Sequence, residues 1–297
     1  MVFRPAAQHR SPVRLTMATE HSAAGVSDWA TKTGSVWARR WRDTDAGLGG
    51  LAPHLLEAIA EKAPAGDFRA FDIGCGPGST TIDVATARPD AEIVACDVSA
   101  ELAKIARQRT IDLPGVRVVE GDAEVVAVAD GPFDLFFSRH GVMFFADPVQ
   151  AFRSFRSAAN PSASIVFSCF QSWEANPWAS ELADAAAGTR LPPPGREPSG
   201  FAFADPEYMR EIFDQSGWKA AASRAVTFDY AAGRGSNPVD EALSFFSELG
   251  PSARVLDSLG DRERGAAVER MRAVIARHVD GGAVVFPAAA WVWTATA

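Results

Sequence analysis

The stretch that decides the fold is Asp72-Ile73-Gly74-Cys75-Gly76-Pro77-Gly78, which joins a short apolar run to a helical pattern. The run over residues 68–73 predicts a strand that ends in a tight glycine turn. Glycines there let a ligand lie against bare backbone, and the first N–H groups of the next helix are unpaired. The dinucleotide fingerprint needs a glycine where Ser79 stands, and no Gly-Lys-Ser/Thr of a P-loop follows. The turn therefore predicts a binding site and disfavours a nicotinamide oxidoreductase.

Outward from this turn, strand and helix patterns alternate along the chain. Such alternation predicts a doubly wound, mostly parallel α/β sheet with helices on both faces. Ser99 and Asp147-Pro148 are helix-start signals, a capping side chain and a cap followed by proline. The predicted strands after the first cover residues 92–97, 116–120, 133–138 and 163–170, and the predicted helices cover 79–87, 99–109 and 147–159.

Three consecutive predicted strands end in an aspartate. Asp72 precedes the glycines and suits a ligand with an ammonium group, while Asp97 can accept from both hydroxyls of a ribose. Asp122 follows the next strand and can accept from an exocyclic amine of adenine. Because the carboxyl ends of parallel strands share one edge of a sheet, the three side chains are predicted to meet where open α/β sheets bind ligands.

With these residues, the sequence resembles the class I S-adenosylmethionine-dependent methyltransferases over about residues 66–172. The segment from Ser138 to Phe145 is similar to the branch that includes the ubiquinone and menaquinone biosynthesis enzymes, which act mostly on small molecules. The resemblance implies a Rossmann-like, seven-stranded sheet, S-adenosylmethionine as cofactor and S-adenosylhomocysteine as product. It implies cofactor contacts by Asp72, Gly74, Cys75, Gly76, Gly78, Asp97, Val98, Asp122, Ala123 and Ser138. Asn160-Pro161-Ser162-Ala163 departs from the family's Leu-Lys-Pro-Gly-Gly turn.

The 297 residues are enough for one large domain or two modest ones, and the patterns favour one domain with additions. Segments outside the core are expected to cover the active-site edge as helical lid insertions. The expected divisions are a flexible arm over 1–25, an N-terminal helical segment over 26–65, the cofactor-binding core over 66–170, a lid insertion over 171–204, a core continuation over 205–233, a helical insertion over 234–282 and a C-terminal strand over 283–297. Met17 is an alternative start to Met1.

The methyl acceptor is expected to approach the end of the fourth strand. His140 follows that strand and is a candidate general base, with a buried or surface loop histidine as the competing interpretation. Arg139 can hold an acidic group or form a structural ion pair. The candidate substrate contacts are Trp37, Arg139, Phe144, Trp173 and Tyr208, and Tyr230 is the other tyrosine of the chain.

Charge and cysteine content limit the partners. A net charge of −8 argues against a nucleic-acid-binding surface, which needs concentrated lysine and arginine. No apolar run is long enough to span a membrane. The 3 cysteines are far apart in sequence and form no metal-ligand pattern, so we expect reduced thiols, no metal and a cytoplasmic location. The sequence leaves open whether the protein forms a homodimer.

The sequence thus predicts methyl transfer to a small apolar or aromatic acceptor. A catalytically silent protein that binds or displays the cofactor is one alternative. An enzyme that uses a related cofactor for another reaction, such as aminopropyl transfer, is the other. Intact Asp72, Asp97 and glycines favour catalysis over the silent alternative.

Overall fold

The computed structural model describes residues 32–297, so the arm expected over residues 1–25 lies outside the described residues. Strands and helices alternate from residue 68 to residue 170, as the sequence patterns predict. In chain order the elements are α1 (Lys32–Arg39), α2 (Trp41–Gly47), α3 (Ala52–Lys62), β1 (Phe68–Ile73), α4 (Ser79–Ala87), β2 (Ala91–Asp97), α5 (Ala100–Arg109), β3 (Val116–Glu120), α6 (Ala123–Asp130), β4 (Phe133–Arg139), a 3-10 turn (Val142–Phe144), α7 (Pro148–Ser157), β5 (Ala159–Phe170), α8 (Pro177–Ala187), α9 (Pro206–Ser216), β6 (Lys219–Arg234), α10 (Pro238–Glu248), α11 (Pro251–Asp257), α12 (Asp261–Ala276), β7 (Val279–Asp280) and β8 (Ala283–Thr296).

One sheet organises the described chain, in the order β3-β2-β1-β4-β5-β8-β6. The first five strands run parallel, and β8 pairs antiparallel with both β5 and β6. The seven strands in this order match the expected number, and the two-residue β7 pairs with β8 as an eighth. The doubly wound, mostly parallel architecture is confirmed.

The carboxyl ends of β1, β2, β3 and β4 lie at one edge of this sheet. β1 pairs with β2 and β4, and β2 pairs with β3, so the glycine turn after β1 is central. Asp97 pairs with Glu120 in the β2–β3 register, which puts the ends of those strands level. The parallel register therefore collects the predicted cofactor residues at one place.

The N-terminal helical segment is three helices. Arg40 interrupts the helical pattern between α1 and α2, and residues 48–51 separate α2 from α3. Leu48 and Leu51 lie in the turn before α3, and both are buried. An apolar pattern indicates which residues are buried in the core, and residues in a turn can be buried there as well as residues in a helix.

The insertions pack on an extension of the sheet. Pairing of β5 with β8 stops at Phe170, opposite Ala290, whereas β6 and β8 stay paired as far as Arg234 and Ala283. Helices α8, α11 and α12 pack together, and α10 packs on β6. The short α11 has no counterpart among the predicted helices. This extension brings the insertions to the same edge as the glycine turn.

None of the helices in the described part of the chain is long and apolar enough to cross a membrane.

Candidate cofactor and acceptor site

The glycine turn adopts the backbone that its sequence demands. Gly74, Gly76 and Gly78 have φ angles of 64°, 56° and 81°, a region that other residues rarely adopt. A Cβ at Gly76 would meet nothing within 4 Å, so the turn leaves open space beside its backbone. A Cβ at Gly74 would lie 3.2 Å from Gly141 Cα, because the turn packs against the loop after β4. The backbone of the turn is therefore open at Gly76 and closely packed against Gly141 at Gly74.

Asp97 ties the end of β2 to this turn. Its Oδ2 accepts a hydrogen bond from the backbone N–H of Gly76 at 2.8 Å, and its Oδ1 accepts from that of Ser99, also at 2.8 Å. The pKa of Asp97 is raised by burial, and the two N–H donors oppose that shift. A carboxylate oxygen has two lone pairs, so each oxygen retains capacity for a ligand hydroxyl.

Asp72 is a buried acid directly beneath the turn, with 1% of its surface exposed. Thr81 donates a hydrogen bond to its Oδ2 at 2.5 Å. Burial raises the pKa of Asp72 to about 7, against the lowering effects of Thr81 and the Arg139 charge. A cationic group arriving beside Asp72 would favour its ionised form.

Ser138 joins the ends of β4 and β1. Its hydroxyl donates to the Ile73 carbonyl at 2.6 Å and accepts from the Gly141 N–H at 3.1 Å. Both interactions are within the protein, so the hydroxyl fixes the strand ends that flank the turn. Its assignment as a cofactor contact stays a prediction.

The other predicted cofactor residues lie around the same edge. Asp122 Oδ1 accepts from the Glu124 N–H at 2.9 Å and thereby caps α6, which begins at Ala123. Val98 is half-buried between Asp97 and Ser99. Cys75 packs its buried thiol against Ala95 and Ala106, and burial raises the pKa of that thiol well above its usual value. The structure thus gives Asp122 a capping role and Cys75 a packing role, and it leaves Val98 beside the turn.

Arg139, at the end of β4, forms an ion pair with Asp45 of α2. Asp45 also accepts a hydrogen bond from Ser79 at 2.5 Å and lies 3.5 Å from the Arg109 guanidinium. Arg109 in turn donates to the Pro77 carbonyl at 2.8 Å. Asp45 therefore fastens α2 over the glycine turn, and no sequence pattern indicated it.

His140 has the positive φ of 61° in the loop after β4, and it is buried. Its Nδ1 lies 2.8 Å from Ser168 Oγ, while its Nε2 has no hydrogen-bond partner among residues 32–297. Burial, and secondarily the Arg139 charge, lowers the pKa of His140 to about 3. The imidazole is therefore neutral at pH 7 and a weak base in the free protein.

The predicted substrate contacts are dispersed. Trp37 lies on α1 and packs half-buried against the core, and Phe144 is half-buried in the 3-10 turn. Trp173 lines a cleft of about 370 Å³ with Phe201, Pro193 and Pro194. Tyr208 lies on α9 with the Arg196 guanidinium 4.2 Å from its ring centre. The structure does not gather these four side chains with Arg139 into one pocket wall.

Residues 71–167, about a third of the chain, match the profile of the methyltransferase domain family. The matched range contains the glycine turn, Asp97, Asp122 and His140. This part of the chain is therefore similar to a methyltransferase domain.

Proteins similar to this chain match different shares of it. The chain is similar to the ubiquinone biosynthesis O-methyltransferase of Xanthomonas euvesicatoria pv. vesicatoria, with 29% identity over 137 residues, which are 44% of this chain and 56% of that enzyme. The chain thus spans about half the length of that curated relative. The solved YcgJ protein of Bacillus subtilis has the same fold, with a TM-score of 0.52 at 16% identity over 82% of this chain and 97% of that one. Phosphoethanolamine N-methyltransferase 2 of Haemonchus contortus, solved with S-adenosyl-L-methionine, has a TM-score of 0.53 at 13% identity over 92% of this chain and 60% of that one.

The residues present fit S-adenosylmethionine. The open backbone at Gly76, the buried acid Asp72 and the spare lone pairs of Asp97 meet at one strand edge. They suit a ligand that carries an ammonium group at one end and ribose hydroxyls further along.

Proposed function

We propose that the protein transfers a methyl group from S-adenosylmethionine to a small, apolar or aromatic acceptor and releases S-adenosylhomocysteine. The main support for this proposal is the hydrogen bond from the Gly76 N–H to the Asp97 carboxylate, which holds the acid at the end of β2 beside the open glycine turn. When bound, the cofactor supplies an activated methyl group on a sulfonium sulfur. The chain must bind it, exclude water and hold the acceptor atom in line, and such alignment contributes roughly 7–11 kcal/mol in favourable cases.

Each predicted cofactor residue has a role in this proposal. Asp97 accepts from the ribose hydroxyls, and Asp72 faces the ammonium group of the methionine portion. Arg139, held by Asp45, binds the carboxylate of the same portion, because it is the guanidinium whose charge lowers the pKa of Asp72. The adenine lies near Asp122 and Ala123, where Asp122 keeps its second oxygen free of the α6 cap.

Methylation of a protonated acceptor atom, such as a phenol hydroxyl, releases a proton. A bond forms between the acceptor atom and the methyl carbon, the bond from that carbon to sulfur breaks with its electron pair staying on sulfur, and the acceptor proton passes to water. A general base is required only when the acceptor carries such a proton. His140 lies at this edge. Because its pKa is about 3, it is a poor proton acceptor at pH 7, and its proposed role is a hydrogen bond to the acceptor.

The proposal is tested with cofactor labelled in its methyl group. The purified full chain is incubated with this cofactor and a small-molecule extract, and mass spectrometry follows labelled products together with S-adenosylhomocysteine. Product formation that disappears in an Asp97→Ala variant supports methyl transfer. Tight cofactor binding without S-adenosylhomocysteine formation on any extract fraction contradicts it and favours the silent binding protein. Release of labelled methylthioadenosine instead indicates that the aminocarboxypropyl group of the cofactor, and not its methyl group, was transferred.

A further inference from the structure

Tyr230 is a buried polar residue that the roles above leave unused. It lies on β6 opposite Phe286 of β8, on the part of the sheet that extends past β5. Its ring stacks on the indole of Trp178, with ring centres 4.8 Å apart and planes 9° from parallel. Although only 4% of Tyr230 is exposed, its hydroxyl forms no hydrogen bond with any residue that the structure describes.

The last residue of α2 brings this hydroxyl close to the cofactor edge. A Cβ at Gly47 would lie 2.5 Å from Cζ of Tyr230 and 2.9 Å from its hydroxyl oxygen, so the ring rests on bare backbone. Gly47 is two residues from Asp45, which pairs with Arg139 and binds Ser79. The missing side chain at position 47 therefore places Tyr230 against the helix that covers the glycine turn.

A line of rings connects Tyr230 to His140, and we name His140, Phe170, Trp178 and Tyr230 the aromatic wall. Successive ring centres are 4.2 Å apart from His140 to Phe170 and 5.0 Å apart from Phe170 to Trp178. Each end of the wall carries a polar atom without a hydrogen-bond partner among the described residues. Nε2 of His140 is fully buried, whereas the hydroxyl of Tyr230 keeps some accessible surface. Because a buried polar group without a partner is costly, Nε2 of His140 and the accessible hydroxyl on the same apolar surface point to a ligand that completes them.

The charges near the wall select the kind of ligand. Burial raises the pKa of Tyr230, and Asp43 adds to the shift, so the hydroxyl stays protonated and can donate. The guanidinium of Arg139 pairs with Asp45, and that of Arg40 pairs with Asp43 and Glu248. An anionic acceptor would face Asp43 without an unpaired cation from either arginine. The surroundings favour an uncharged acceptor.

We propose that the hydroxyl of Tyr230 donates a hydrogen bond to an oxygen of an uncharged, flat ring compound that lies along the aromatic wall as methyl acceptor. This inference rests on the proposed function and makes Tyr230 a specificity-determining residue. Nε2 of His140 is the second polar contact, at the end of the wall next to the cofactor. The acceptor is thereby a compound with oxygen substituents on an aromatic ring.

The test uses named probes with the full chain. S-adenosylhomocysteine formation from S-adenosylmethionine is measured with naphthol and methylcatechol as uncharged probes, benzoate as an anionic probe and benzylamine as an amine probe. We expect turnover with an uncharged probe and none with benzoate or benzylamine. Absence of turnover on both uncharged probes, or turnover on benzoate or benzylamine, contradicts the inference. The proposed function is judged separately by S-adenosylhomocysteine formation on the small-molecule extract, so the two failures are distinguishable.

Two variants separate recognition from folding. Tyr230→Phe keeps the stacked ring and removes only the hydroxyl, so we expect KM for the active uncharged probe to rise about tenfold while the Kd of S-adenosylhomocysteine stays within twofold. Because the hydroxyl has no hydrogen-bond partner among residues 32–297, the midpoint of urea unfolding should hold or rise. The matched control is Ser252→Ala, whose hydroxyl donates to the Phe246 carbonyl at 2.8 Å, and it should lower that midpoint with KM unchanged. An unchanged KM in Tyr230→Phe overturns the assignment.

Discussion

The carboxylate of Asp97 and the backbone of Gly76 are joined by a hydrogen bond of 2.8 Å that links the end of β2 to the glycine turn after β1. The bond holds the Asp97 carboxylate, our proposed partner for the ribose hydroxyls, and the open backbone at Gly76 in one arrangement before any ligand arrives. Pre-organisation of this kind reduces the ordering cost of binding.

Loss of the Asp97 carboxylate should weaken cofactor binding directly. Asp97→Ala removes the ribose partner and frees the Gly76 N–H, so we expect the Kd of S-adenosylhomocysteine to rise more than tenfold, about 1.4 kcal/mol or more. Isothermal titration calorimetry measures it. The control is Asp90→Ala, which removes an exposed carboxylate paired with Arg88 and should leave the Kd unchanged. A Kd within threefold of wild type for Asp97→Ala would show that the ribose assignment is wrong.

Two ligands distinguish a direct contact of Arg139 with the cofactor carboxylate from a structural role of Arg139 through Asp45. Methylthioadenosine has the adenosine and thioether of S-adenosylhomocysteine but lacks the carboxylate and ammonium groups. Arg139→Met should weaken S-adenosylhomocysteine at least tenfold and leave methylthioadenosine within threefold. Arg117→Gln, which removes an exposed guanidinium paired with Asp130, should change neither Kd. Equal weakening of both ligands by Arg139→Met would assign Arg139 to the support of α2 through Asp45.

Asp72 should make stability depend on pH. Its folded pKa of about 7 lies above the ordinary value of 3.8, so the folded state holds a proton that the unfolded state releases. Ionising the buried Asp72 destabilises the folded state. This destabilisation is absent below pH 4, grows as pH rises and is complete above pH 7. Relative to Asp72→Asn, the wild-type free energy of unfolding should fall by about 1–3 kcal/mol between pH 4.5 and pH 8.

Urea unfolding at matched ionic strength measures this difference for Asp72→Asn. Buffers of the same counterion remove specific ion effects from the comparison. A difference between the two proteins that is constant from pH 4.5 to pH 8 would show that the Asp72 pKa is not raised.

The hydroxyl of Ser138 should matter for folding. Ser138→Ala leaves the Ile73 carbonyl and the Gly141 N–H without this partner in a buried place, which costs about 1–3 kcal/mol. The free energy of unfolding in urea is the readout. Unchanged stability with a large loss of S-adenosylhomocysteine affinity would instead make Ser138 a direct ligand contact.

Local sequence signals predicted the cofactor half of the fold well. The cap signals at Ser99 and Asp147 coincide with side chains that accept from the first turn of α5 and α7. The glycines predicted a tight turn after β1, and in the structure three of them adopt positive φ angles there. These features are local, because a cap or a turn is determined by residues within a few positions of one another.

Long-range features were not predictable in the same way. The pair of Asp45 and Arg139 joins residues 94 positions apart, and neither residue carries a local mark of the other. The contact of Gly47 with Tyr230 depends on the sheet extension that β6 and β8 form. Helix α6 was missed because its short alternation of alanine and valine has no clear helical period. The acceptor side therefore needed the structure, where elements distant in sequence meet.

The most direct measurement is calorimetric titration of S-adenosylhomocysteine into the full chain. We expect one site per chain with a Kd below about 1 mM, and an affinity at least tenfold weaker in Asp97→Ala. No binding heat across several temperatures, with the protein shown to be folded, would contradict the assignment of this strand edge to the cofactor.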